Sequence, residues 1–133
     1  MPKPITEFAD SHDILPIRVP KPWGHEVWWA KTERYAGKLL FVKAGQRLSL
    51  QFHHHKDETS YLFSGRLLLT KGPSADALVT EELLPGAAWR NRPGEIHTIE
   101  AIVDSEIFEV STPELDDVVR LDDRYGREGT NAP

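Results

Sequence analysis

The chain has 133 residues, a formal net charge of −5 and no cysteine. That length suits one domain, and the lack of cysteine excludes disulfides and thiolate-bound zinc or iron–sulfur centres. With no basic cluster, nucleic acid and anionic membranes are poor partners; no apolar run is long enough to span a bilayer, "MPKPITEFAD" holds no signal-peptide core, and a cytoplasmic location is expected.

Residues 1–22 carry five prolines and little periodicity. They are read as an N-terminal arm laid across a surface or a partner subunit, followed by a domain over 23–127 and a flexible tail over 128–133. Ten prolines and nine glycines cut the chain into short pieces, the habit of all-β domains. In order, the predicted strands are Glu26–Lys31, Lys38–Lys43, Leu48–His53, Thr59–Phe63, Arg66–Thr70, Leu78–Leu84, Ala87–Arg90, His97–Ala101 and Glu106–Ser111. Gly65 predicts a tight turn between two of them, and "KGPSAD" a longer one. In "TPELDDVVRL", Thr112 as N-cap and Pro113 at the first helical position predict a short helix. The sum is a small antiparallel barrel with a short C-terminal appendage.

The stretch "SLQFHHHKDETSYLFSG", Ser49 to Gly65, concentrates the chemistry. Alternate residues of a strand share a face, so Gln51, His53 and, if the strand extends that far, His55 point the same way, with His54 opposite. Inward polar groups in a small barrel need a reason, and converging imidazoles and carboxylates are first-row metal ligands. Glu58 lies just beyond the turn, and "NRPGEIHTI" delivers His97 after a Pro-Gly turn. Two ligand sets are open: Gln51, His53, Glu58 and His97, or His53, His55, Glu58 and His97. Lys38 shares a face with Leu40 and Val42, which places its ammonium near the pocket if that face is inward. Arg90 and Arg92 could hold an anion or serve at the surface. Tyr61 and Phe63 share a face with Thr59; Tyr61 could line the pocket, and core packing is the ordinary role of such an aromatic. Trp28 and Trp29 face opposite ways, leaving one for a partner.

Gly45 to Gly65 resembles the first cupin motif, with Gly45, Gln51, His53, Glu58 and Gly65 at its spacings and Gln51 replacing the first histidine. Gly86 to His97 resembles the second motif, although Pro93 stands one place late and Ala101 replaces the closing asparagine. More narrowly, "KPWGHEVWW", "RYAGKLLFVKAGQRLSLQFHHHKDE" and "LDDVVRLDDRYGRE" resemble the C-terminal cupin domain of type II phosphomannose isomerases. The chain departs at "DETSYLFSG", where that family has a Trp-containing segment. The resemblance implies an all-β cupin (RmlC-like) double-stranded β-helix, or jelly-roll barrel. It implies one divalent metal on Gln51, His53, Glu58 and His97, with zinc first and manganese, iron or nickel as alternatives. It also implies a mannose-6-phosphate isomerase-like reaction on a sugar or sugar phosphate, with Lys38 in proton transfer or substrate orientation and Arg120 reaching an anionic substrate group. A metal-dependent dioxygenase or another small-molecule cupin enzyme is the first alternative, and a non-catalytic metal-containing binding module the second. Small cupins with proline-rich arms often pair their sheets, so a homodimer is expected.

Overall fold

A computed structural model describes residues 15–130. They form β1 (Ile17–Lys21), β2 (Gly24–Lys31), β3 (Ala36–Val42), β4 (Leu50–Phe52), β5 (Glu58–Gly72), β6 (Val79–Leu83), β7 (Ala88–Asn91), β8 (Ile96–Ser111) and β9 (Val119–Asp122). Every strand pairing is antiparallel. β1 comes from the end of the proline-rich stretch and pairs along β2. Residues 1–14, most of the expected arm, lie outside the described residues, as do 131–133 of the tail. Among the described residues no helix is long and apolar enough to cross a membrane.

β5 and β8 form the spine. They pair from Glu58↔Ser111 to Gly72↔Ile96, with register shifts between Leu62 and Leu67. On one side of those shifts the strand order is β1-β2-β3-β8-β5-β7; on the other it is β9-β4-β8-β5-β6. Two half-sheets therefore share the same two long strands and close over a common interior. Leu40, Val42, Leu62 and Ile107 from the first half pack with Leu67, Leu69, Ile99 and Ala101 from the second in one cluster. Leu62, Leu67 and Ile107 are completely buried, which stabilises the fold by about 1.5–3 kcal/mol each.

Three sequence expectations are corrected. Gly65 is not a tight turn: "TSYLF" and "RLLLT" belong to one strand, and Gly65 sits in its bulge with φ of 103°. The two segments expected around His97 and Glu106 likewise merge into β8. Across the bulge the Ser105 hydroxyl accepts the Arg66 N–H at 3.0 Å, so a side chain takes over where the backbone ladder is interrupted. Second, the helix after Thr112 does not form among the described residues. The Thr112 hydroxyl, expected to cap it, instead accepts the Asp57 N–H at 3.0 Å, and the segment makes only isolated turn bonds. Third, Tyr61 and Phe63 are exposed, because Glu58, Ser60 and Leu62 occupy the inward positions of β5.

An added Cβ at Gly65 would lie 2.2 Å from Ser105 Oγ and 2.6 Å from the Asp104 carbonyl oxygen, at a φ that L residues rarely adopt. Gly65→Ala is expected to destabilise the fold by about 1–3 kcal/mol, read as a lower denaturant midpoint at unchanged slope. An unchanged midpoint contradicts this account of the bulge.

Candidate metal centre and its pocket

Three strand ends carry the candidate ligands. His53 follows β4, Glu58 opens β5 and His97 stands second in β8; all three are buried, at 2%, 5% and 6% exposure. One ligand atom from each lies within 4.8 Å of the other two. The His53 Nδ1 is 2.5 Å from the Asp117 carbonyl oxygen, and the His97 Nδ1 is 3.0 Å from that of Glu95. A carbonyl only accepts, so each Nδ1 carries a proton, and it is Nε2 that offers a lone pair in the neutral ring. Both Nε2 atoms and Glu58 Oε1 are buried without a hydrogen-bond partner. Glu58 Oε1 does lie 2.8 Å from His53 Nε2 and 3.4 Å from Lys56 Nζ, but neither approach has hydrogen-bond geometry. Three unsatisfied donors of electron pairs converging in a buried site fit a first-row divalent cation.

The turn between β4 and β5 is held from outside. The Asp117 carboxylate accepts the backbone N–H groups of His54, His55 and Lys56 at 2.9, 2.6 and 3.0 Å. Partial burial works to raise the Asp117 pKa, but these three bonds outweigh it and bring the carboxyl to about 2. The Gly94 N–H donates to the His53 carbonyl at 2.8 Å and ties the Pro-Gly turn before His97 to the histidine turn.

The ligand atoms border a cavity of about 90 Å³. Buried ions of alternating sign run through it. Lys38 Nζ is 3.1 Å from Glu26 and 4.0 Å from Glu109; Lys56 Nζ is 3.3 Å from Glu109 and reaches Glu58. Burial tends to raise the Glu58 pKa, yet the Lys56 ammonium above all holds it well below the ordinary value. Burial and the Glu58 charge push Glu109 up to about 7. For Glu26 the cations Lys38 and Lys21 outweigh burial and bring it to about 2. The His97 pKa is lowered, chiefly by burial. Lys21, Arg120 and Arg127 add a like-charged group to the same cavity. Burial lowers the Lys21 pKa and the three cations Lys38, Arg120 and Arg127 lower it further, against Glu26. Arg127 is paired with Asp123 at 2.7 Å, whereas the Arg120 Nε is buried without a partner.

The Mannose-6-phosphate isomerase C-terminal family model matches residues 10–123. The chain belongs to that family. Its sequence is 33% identical over 130 residues to mannose-1-phosphate guanylyltransferase 2 of Escherichia coli O157:H7, covering 92% of this chain and 24% of that protein. It is 36% identical over 111 residues to mannose-1-phosphate guanylyltransferase ManC of Salmonella typhimurium, covering 80% of this chain and 22% of the relative. The chain thus spans about a quarter of the length of these curated relatives. Among solved structures, an RmlC-like cupin from Shewanella frigidimarina superposes with a TM-score of 0.64 at 12% identity, over 79% of this chain and 92% of that one. The capsular polysaccharide assembling protein CapF of Staphylococcus aureus gives 0.62 at 18% identity, over 82% and 30%. The fold is a cupin: an RmlC-like double-stranded β-helix.

In this cupin Gln51 pairs in register with both His97 and Arg120 and lines the cavity. Its Oε1 accepts the Ser49 hydroxyl at 2.5 Å, and an amide oxygen keeps a second lone pair. His54 and His55 are exposed. Lys38 is buried on the inward face with Leu40 and Val42, and Arg120 is buried at the cavity. Arg90 and Arg92 lie at the surface, paired with Asp57 and Glu95. Sequence reasoning missed Glu26, Lys56, Glu109, Asn91 and Asp117. A signal existed for Glu109: it shares strand parity with Ile107, so a charge on the core face was readable. Lys56 sits in a turn, where no periodicity points it inward.

Asp117→Ala removes the carboxylate but keeps the carbonyl that orients His53. Metal affinity is expected to fall about 10–100-fold, measured by competition against a zinc chelator. Asp117 has a depressed pKa, so its contribution to stability is complete above its ordinary 3.8 and is lost as pH falls toward about 2. Acid unfolding of the wild type between those values should therefore be shallower in the variant. Unchanged affinity together with an unchanged acid limb contradicts the role given to this carboxylate.

Proposed function

We propose that this cupin is a metal-dependent aldose–ketose isomerase acting on a phosphorylated sugar of the mannose 6-phosphate kind. The observation that carries the reading is one cavity that joins three convergent metal-ligand atoms to the Lys21, Arg120 and Arg127 cations. The family match and relatives named for mannose-1-phosphate guanylyltransferase activity support sugar-phosphate chemistry.

His53, Glu58 and His97 would hold the ion, with Gln51 completing the set. Zinc suits these ligands first, and manganese, iron or nickel also match a nitrogen and oxygen site without thiolate. When bound, such an ion supplies Lewis-acid stabilisation of negative charge developing on the sugar oxygens. Arg120, with its unpartnered Nε, and Lys21 bind the phosphate. Asn91, whose buried Oδ1 has no partner, accepts a sugar hydroxyl. The reaction moves one proton from carbon 2 to carbon 1 and another between their oxygens, so it needs no redox partner. Lys38, set between Glu26 and Glu109 and 5.2 Å over the Trp28 ring, is placed for proton transfer or for orienting the sugar.

Metal analysis of the purified chain, followed by anaerobic turnover of a sugar-phosphate panel with added zinc, tests the reading. About one metal per chain is expected, lost in His53→Ala and in His97→Ala but kept in His54→Ala. Full occupancy in both site variants, or no isomerisation under any of the four metals, overturns it. Lys38→Met should keep the metal and lose kcat by about a hundredfold or more, the usual scale for a proton-transfer group. Arg120→Ala should raise KM for the phosphorylated sugar far more than for its unphosphorylated counterpart. An equal effect on both sugars removes Arg120 from phosphate recognition.

A further inference from the structure

One of the candidate ligand atoms already has a cation against it. Lys56 Nζ lies 3.4 Å from Glu58 Oε1, the same oxygen that stands 2.8 Å from His53 Nε2. Lys56 belongs to the turn between β4 and β5, where a long side chain is free to carry its charge into water. It turns inward instead, to 5% exposure, and lines the cavity. A lysine is almost never this buried unless it is paired. The turn is pinned in that pose, because the Lys56 N–H donates to the Asp117 carboxylate at 3.0 Å.

Lys56 has a second anion within reach. Its Nζ donates to Glu109 Oε2 at 3.3 Å, whereas its approach to Glu58 lacks hydrogen-bond geometry. Glu109, on β8, lies outside the cluster of candidate ligands. The ammonium is therefore shared between one carboxylate that can hold a metal and one that does not join the set. A divalent ion on Glu58 would meet a like charge at close range, and in a buried site that repulsion is far less screened than in water. The same ammonium compensates two buried carboxylates that would be costly alone. Lys56 thus stabilises the fold and opposes the metal at one atom. Glu109 limits the opposition, because Lys56 can give up Glu58 without being left unpaired.

We propose, resting on the ligand set His53, Glu58 and His97 and not on the isomerase reaction, that Lys56 is an internal competitor for the metal ion. It contests the Glu58 carboxylate and keeps Glu109 as its partner when the ion binds. The centre then holds its ion exchangeably, and the fold does not depend on the ion for its buried charge balance.

Zinc affinity of the full chain, measured by competition against a chelator, and thermal melting in EDTA test this. Lys56→Met keeps the stem and removes the charge. It is expected to bind zinc about tenfold more tightly or better and to melt below the wild type in EDTA. Saturating zinc should then raise its Tm by more than it raises that of the wild type. Lys56→Arg keeps the charge and is expected to bind zinc as the wild type does. Glu109→Gln takes away the alternative partner and is expected to bind zinc more weakly. Because Lys56→Met leaves two buried carboxylates uncompensated and could fail to fold, the charge-balanced pair of Lys56→Met with Glu109→Gln gives a second readout. That double variant should bind zinc more tightly than Glu109→Gln alone. A wild type that binds zinc while Lys56→Met binds it no more tightly, Lys56→Arg as tight as Lys56→Met, or a double variant no tighter than Glu109→Gln overturns the competitor role and leaves the metal centre standing. Absence of zinc binding in the wild type and in every variant overturns both.

Discussion

Two hydrogen bonds from imidazole Nδ1 to backbone carbonyls, His53 to Asp117 and His97 to Glu95, set the chemistry of this cupin. Each fixes a tautomer, and each points a bare Nε2 at the Glu58 carboxylate. Lone pairs brought this close repel one another when buried. A single proton could relieve only one pair, whereas a divalent cation at the point of convergence satisfies all three. Elements distant in sequence are recruited to hold this arrangement. Asp117 supplies a carbonyl to His53 and a carboxylate to the following turn. The Pro-Gly turn before His97 reaches back to the His53 carbonyl.

The barrel divides its interior between packing and charge, and one strand does both. β8 gives Ile99, Ala101 and Ile107 to the core, and it gives His97, Thr98 and Glu109 to the cavity. The register shifts opposite its middle let both ends of the strand face the same space. Burying Glu26, Lys38, Lys56, Glu58 and Glu109 costs desolvation, which their mutual attraction outweighs at Glu26, Lys56 and Glu58 but not at Glu109; well-packed apolar side chains can stabilise a fold as well as such a network. The place of these ions against the unsatisfied candidate ligand atoms favours a functional origin for them.

Much of this was legible in the sequence because strand periodicity is strict. The alternation of Lys38, Leu40 and Val42 marked one face of a strand, and the resemblance of Gly45–Gly65 to the first cupin motif implied His53 and Glu58 as ligands. The failures have equally local causes. Gly65 carries turn chemistry, but a bulge needs the same positive φ, and only the Ser105 hydroxyl across the sheet distinguishes the two. Thr112 and Pro113 read as a helix start, yet Asp57 claims the Thr112 hydroxyl and the histidine turn claims the Asp117 carboxylate. Both competing partners lie more than fifty residues away, beyond any local pattern. Tyr61 and Phe63 were assigned to the core because large aromatics usually pack there. Their strand parity with Thr59 was correct, and what the sequence left open was which parity faces the core.

Nitrogen-15 NMR of the histidine rings in the metal-free chain near neutral pH examines the central constraint directly. The account predicts His53 and His97 as neutral rings protonated at Nδ1, with the Nε2 resonances of these two residues, and of no other histidine, shifting when zinc is added. Rings protonated at Nε2, or zinc-induced shifts confined to His54 and His55, would contradict it.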